Sequence, residues 1–134
     1  MADSIGIVLG LDVGEKRVGC ALANTLARIA HPLPTLIFDD QLIQHIQTII
    51  QDERVDEIVV GLPRNLQGED TAQTTFVRNF ITELSKQVTL PILLQDEALS
   101  SVRAEEILAK KKGTYSKGDI DALAACFILE DYLV

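Results

Sequence analysis

Three carboxylates in this chain stand where a structural role alone does not account for them. Asp12 lies in Gly10-Leu11-Asp12-Val13-Gly14, at the mouth of an otherwise apolar run. A carboxylate buried there without a partner would be costly. It either caps the turn that follows or takes part in chemistry. Chemistry is favoured, because the carboxyl end of a central strand is where open α/β sheets bind ligands. Gly10 and Gly14 would let a ligand approach the backbone closely. The second acid comes from Gln95-Asp96-Glu97, after the apolar Pro91–Leu94. Successive strand residues point to opposite faces, so only one of the two acids should face Asp12. Glu97 is preferred for its reach, with Asp96 as runner-up or a supporting residue behind it; the alternative is an acidic loop leading into a helix. The third is Asp121. Its neighbour Asp119 has a reason to be present, forming a capping box with Ser116. Asp121 has none, since it shares a helical face with Ala125, Ile128 and Tyr132 that should pack on a sheet.

If the three meet, the site is rich in oxygen ligands with no His or Cys set nearby. That donor set suits Mg²⁺ or Mn²⁺ rather than zinc. Two such ions roughly 3.5–4 Å apart can activate water and stabilise the leaving oxygen of a phosphodiester displacement. His45 reads as a surface residue of a polar helix segment, and His31, before a proline, has no assigned role.

Whether the acids meet depends on the elements that carry them. Ile5–Leu11 and Arg17–Asn24 read as a hairpin around Gly14-Glu15, with Leu33–Phe38 as a third strand. Asp39 or Asp40 should cap a helix with Leu42, Ile46, Ile49 and Ile50 on its apolar face. Glu57–Gly61 is a short buried strand. Asp70 and Gln73 resemble a capping box opening a helix that carries Phe76, Val77, Phe80, Ile81 and Leu84. Pro91–Leu94 is a further buried strand. Ser100 or Ser101 should start a helix with Val102, Ile107 and Leu108, and a last helix runs from about Lys117 to Leu133. Three hairpin-linked strands followed by alternating helices and strands imply a five-stranded mixed sheet with helices on both faces. The later strands should run parallel to the first. That order is the ribonuclease H-like architecture, and it would bring all three acids to one edge.

Composition narrows the function. The 134 residues suit a single domain, 1–134, with 47% hydrophobic residues to build its core. No apolar run reaches the roughly 18 residues of a membrane span, and no secretory leader is expected. Cys20 and Cys126 sit in apolar patterns and read as reduced core residues of a cytoplasmic protein. Twenty acids against twelve bases, net −8, argue against a protein that coats nucleic acid, because phosphate affinity comes from Lys and Arg. An enzyme with an acidic metal site and a local basic rim remains compatible. Lys110-Lys111-Lys112-Gly113-Thr114-Tyr115-Ser116-Lys117 is either that rim or a solvated helix end.

Four stretches together resemble the YqgF/RuvX family, of the Holliday-junction-resolvase-like branch of the ribonuclease H-like fold. They are Leu11–Ala21, Val60–Gly68, Asp96–Ser101 and Asp121–Ala125, and they follow the family's order and spacing over nearly the whole chain. The resemblance implies a bacterial cytoplasmic nuclease linked to maturation of the 5′ end of the pre-16S ribosomal RNA. A junction-resolvase role in DNA recombination and repair is the alternative. By position, Asp12, Glu97 and Asp121 would be the catalytic acids and the ligands of Mg²⁺ or Mn²⁺. Arg17, Arg64 and the Gly61–Gly68 loop would border the nucleic acid, together with Lys111, Lys112 and Lys117. The chain departs from the family at Ala98, where Arg is usual; this removes positive charge beside the metal site.

Two other classes compete with a nuclease acting on structured RNA or branched DNA. A nucleotide-binding relative of the actin and sugar-kinase fold would use a similar Asp-x-Gly turn, but it needs two such domains. A non-catalytic ribosome-assembly or repair module would keep the fold and lose the activity, and Ala98 and the acidic balance lean that way. No exposed apolar helix suggests a strong interface, so a monomer or weak homodimer is expected.

Overall fold

The computed structural model of the chain describes residues 6–97, 106, 107, 109 and 116–134. Its strands are β1 (Ile7–Val13), β2 (Arg17–Asn24), β3 (His31–Ile37), β4 (Glu57–Pro63) and β5 (Ile92–Glu97). Its long helices are α1 (Leu42–Glu53), α2 (Ala72–Ser85) and α3 (Lys117–Tyr132). The strands form one sheet in the order β3-β2-β1-β4-β5. β1 pairs antiparallel with β2, β2 antiparallel with β3, and β1–β4 and β4–β5 are parallel. This is the ribonuclease H-like arrangement expected from the element order. β3 carries Pro32 and Pro34, which cannot donate to a ladder, and it accordingly sits at an edge.

The pleat sorts the core into two layers. Leu9, Leu11 and Val13 of β1, with Ile58, Val60 and Leu62 of β4, pack under Leu42 and Ile46 of α1 and Val77, Phe80 and Leu84 of α2. Val8, Ala21, Ala23 and Val59 point the other way, onto Ala125, Cys126, Ile128 and Leu129 of α3. The even residues of β1, Asp12 included, therefore share the α3 face. Cys20 and Cys126 are free and buried, as their apolar settings required.

α3 comes unusually near the sheet, and glycine makes this possible. A Cβ on Gly10 would stand 2.5 Å from Leu129 Cγ. A Cβ on Gly19 would collide with the carbonyl group of Asp121, which is backbone and cannot turn aside. The room expected beside Gly10 for a ligand is thus filled by Leu129. Ala122, Ala124 and Ala125 contribute small side chains to the same contact and are buried.

Several local expectations are revised. No side chain caps α1: its N-cap is Gln41, and Asp39 instead accepts from the Gln41 N–H at 2.9 Å within the preceding turn. The capping box of α2 joins Thr71 and Thr74 rather than Asp70 and Gln73. Gln73 is turned away and donates to the Val13 carbonyl at 3.2 Å, while Thr74 Oγ1 donates to the Pro63 carbonyl. β3 begins at His31, earlier than its hydrophobicity suggested, and β5 runs on through Asp96 and Glu97. The Ser116–Asp119 box of α3 is present in both directions. The helix expected from Ser100 or Ser101 lies largely outside the described residues; Glu106, Ile107 and Ala109 are helical. Among the described residues no helix is long and apolar enough to cross a membrane.

The close approach of α3 ranks two substitutions. Gly10→Ala should destabilise by about 1–3 kcal/mol, because the Leu129 side chain can shift. Gly19→Ala should cost more, above about 3 kcal/mol, since the helix itself must retreat. Urea denaturation of the two variants measures both, and equal losses would mean that α3 does not lean on Gly19.

Candidate active site

Asp12 ends the apolar stretch of β1 and faces α3. Opposite it across the β1–β2 ladder is Gly19, and against Gly19 lies the backbone of Asp121. The glycine contact therefore delivers the α3 carboxylate to the β1 carboxylate. On the other side, Leu11 pairs with Val60, so Gly61 is the next β4 residue alongside Asp12. Glu97 Oε2 sits 2.7 Å from where a Cβ on Gly61 would be. Gly61 thus opens the floor over which Glu97 reaches from the end of β5.

Strand parity separates the two β5 acids. Leu93 packs in the α3 layer, and Glu97, four residues on, shares its face. Asp96 points to the opposite side, its side chain 72% exposed, with Oδ1 3.7 Å from Arg64 Nη1. The structure brings Asp12, Glu97 and Asp121 to one face and leaves Asp96 off it.

The three acids differ in their electrostatics. Burial first, then the charge of Glu97, then that of Asp121, hold the Asp12 carboxyl well above the usual carboxylate range. Burial pushes Glu97 up to about 6. Among the described residues no hydrogen bond reaches either carboxylate. Asp121 is partnered: Arg17, 104 positions earlier, donates from Nε to its Oδ2 at 2.8 Å. The negative potential of the site also reaches Cys20, whose thiol is pushed up to about 12, chiefly by burial.

Among the described residues no three acids, histidines or cysteines stand close enough to share one cation. The donor set nonetheless fits a hard divalent ion. It consists of carboxylates, of which Asp12 and Glu97 accept no hydrogen bond from the described residues and are held toward protonation by their surroundings.

The basic residues are placed unevenly. Arg17 opens β2 beside the acids. Arg64, just after β4, is drawn between Asp70 at 3.3 Å and Asp96 at 3.7 Å, and its buried Nε makes no well-formed hydrogen bond. Lys117 is the exposed first residue of α3. Lys111, Lys112 and Ala98 lie outside the described residues. Sequence reasoning missed the supporting roles of Gly19, Gly61, Gln73 and Thr74. A glycine inside a strand pattern was the available signal for the first two.

Raised carboxylate pKa values have a definite sign in stability. The folded state holds its protons more tightly than the unfolded chain, so the contribution is full below the ordinary carboxylate range. It is lost as pH rises through about 6 for Glu97, and higher pH leaves uncompensated charge. Glu97→Gln and Asp12→Asn should therefore raise the Tm of metal-free protein at pH 7.5 by about 3–6 °C, or ~1–2 kcal/mol. The gap should close toward pH 5. Added Mn²⁺ should raise the Tm of the unsubstituted chain more than that of either variant. Thermal melts across pH test this, and variants that melt below the parent at pH 7.5 would contradict it.

A family model described as "RuvX: Holliday junction resolvase" matches residues 6–134. A Chloroflexus aurantiacus protein described as "Putative pre-16S rRNA nuclease" is 40% identical over 131 residues, covering 95% of this chain and 86% of its own. One of the same description from Maridesulfovibrio salexigens is 42% identical over 131 residues, covering 94% and 96%. Among solved structures, Thermus thermophilus RuvC superposes with a TM-score of 0.54 at 14% identity, over 95% of this chain and 93% of that one. The fowlpox virus Holliday junction resolvase gives 0.55 at 11%, over 95% and 97%. At such identities the two structures speak for the fold alone, which they share. The sequence matches say more: the chain belongs to the RuvX family.

Proposed function

We propose that the chain is a metal-dependent nuclease that hydrolyses phosphodiester bonds in structured nucleic acid. Its substrate in this reading is the 5′ region of the pre-16S ribosomal RNA precursor, the RNA in the description of its relatives. The observation that carries the reading is the pairing of Asp12 with Glu97. Two carboxylates are held half-buried on one face, with no hydrogen bond from the described residues and each other's charge as company. A purely structural site would supply donors to such groups. A site awaiting cations would not.

Asp12, Glu97 and Asp121 are the proposed catalytic acids and would hold Mg²⁺ or Mn²⁺. Such ions, held there, would supply an activated water and stabilise the leaving oxygen. The chain's own part is to fix the acids. The β1–β2 ladder and Gly19 set the Asp12–Asp121 relation, and Gly61 clears the path for Glu97. Gln73 and Thr74 tie α2 to the ends of β1 and β4, so the edge that bears the acids is braced from the far face. Phosphates of the strand would meet Arg17 and Lys117, with Lys111 and Lys112 the further bases this reading assigns to them. Arg64 would have to leave Asp70 and Asp96 to join them. A chain of net −8 holds nucleic acid only at such a rim, so binding should weaken steeply with salt. The setting that suits this work is the cytoplasm, with the protein a monomer or weak homodimer.

The test is cleavage of an end-labelled pre-16S leader and a four-way DNA junction in Mn²⁺ and in Mg²⁺. Asp12→Asn and Glu97→Gln should each reduce cutting of the leader by at least about 100-fold while the protein stays folded. Cutting of the junction alone would transfer the activity to DNA. No cutting of either by the folded chain would refute the nuclease reading in favour of a binding module.

A further inference from the structure

Arg17 is the cation already present among the acids, and its geometry suggests more than a border position. Its Nε holds Asp121 Oδ2 at 2.8 Å, yet no hydrogen bond joins its two Nη groups to the described residues. The side chain is 32% exposed, so the free edge of the guanidinium has access to solvent. The backbone beneath it is fixed from two sides. Gly14 donates to the Arg17 carbonyl at 2.9 Å, and Phe38 donates to the Lys16 carbonyl at 2.9 Å. Only the side chain is free to move.

We propose that Arg17 is a positioning residue that substitutes for the metal. In the metal-free protein it neutralises Asp121 and keeps it from closing on Asp12 and Glu97. Its guanidinium would leave Asp121 when that carboxylate takes up a divalent ion, and would then be free to meet a phosphate of the bound strand. This rests on the nuclease reading and adds a coupling between metal loading and strand capture.

Three observations carry the proposal. Among the described residues Asp121 alone of the three acids is paired, and no three ligands converge on one point. The Arg17–Asp121 contact would account for both. A partly exposed ion pair is a weak competitor against a doubly charged ion held by three carboxylates. Exchange should therefore favour the metal. The guanidinium edge also matches phosphate geometry, and its Nη donors are already unengaged.

The sign of one measurement decides between this and a fixed supporting role. Metal-free parent, Arg17→Gln and Arg17→Lys are titrated with Mn²⁺ alone, following the free-ion signal by electron paramagnetic resonance. Removing a competitor should tighten Mn²⁺ binding by about tenfold in Arg17→Gln. Arg17→Lys, which keeps the charge without the fork, should fall between. In Ca²⁺, Arg17→Gln should also bind the labelled leader more weakly, with a salt dependence shallower by about one phosphate contact. If Arg17 instead stays on Asp121 to orient it as a ligand, its loss should weaken Mn²⁺ binding about 10–100-fold. That result, or unchanged affinity in both variants, overturns the proposal. Should Arg17→Gln not fold, the direction of change in Arg17→Lys decides alone. If the parent cleaves while the affinities move the wrong way, only this inference fails. If it neither binds Mn²⁺ nor cleaves, the nuclease reading fails as well.

Discussion

The contact between α3 and the bare backbone of the sheet sets the geometry of the whole site. Where most sheets present a layer of side chains to a covering helix, this one presents glycine at Gly10, Gly19 and Gly61. Leu129 and Ile128 settle into two of the gaps, and the Asp121 carbonyl lies on the third. The helix is thereby brought close enough for a carboxylate on it to share a charge environment with one at the end of β1. Moving α3 outward by the thickness of a methyl group would separate Asp121 from Asp12 while leaving the topology untouched.

Once the acids are together, electrostatics dictates the rest. Burial raises both Asp12 and Glu97, and the charges of Glu97 and Asp121 raise Asp12 further, so a nearby cation would relieve part of this cost. Arg17 relieves part of it, at Asp121. The far layer, with α1 and α2 over Leu9, Leu11 and Val60, packs the opposite face of β1 and β4 from the acids.

The basic residues show the same economy in reverse. Twelve bases serve the whole chain, and several are spent on internal acids: Arg17 on Asp121, Arg64 on Asp70 and Asp96, and Arg78 on Asp70. Contact with a polyanion through Arg17 or Arg64 would then require these pairs to open.

Hydrophobic periodicity and turn residues, which act over a few positions, were enough to read the element order, the mixed sheet and the two-sided covering. They also made Asp12 and Asp121 conspicuous, because each is a charge on a face that must be buried. Cap identities failed where neighbouring polar residues compete for one helix end. Thr71 was chosen over Asp70, and Gln41 took the position expected of Asp39 or Asp40. Local sequence offers nearly equal candidates there, and the path of the preceding strand selects one. The preference for Glu97 over Asp96 began as an argument from reach. It became a matter of parity once β5 was seen to continue through both residues. What the strand glycines meet on α3, and the Arg17–Asp121 pair, lay beyond sequence reasoning, since both join segments far apart in the chain. Only packing in three dimensions puts such distant residues within a few ångströms of each other.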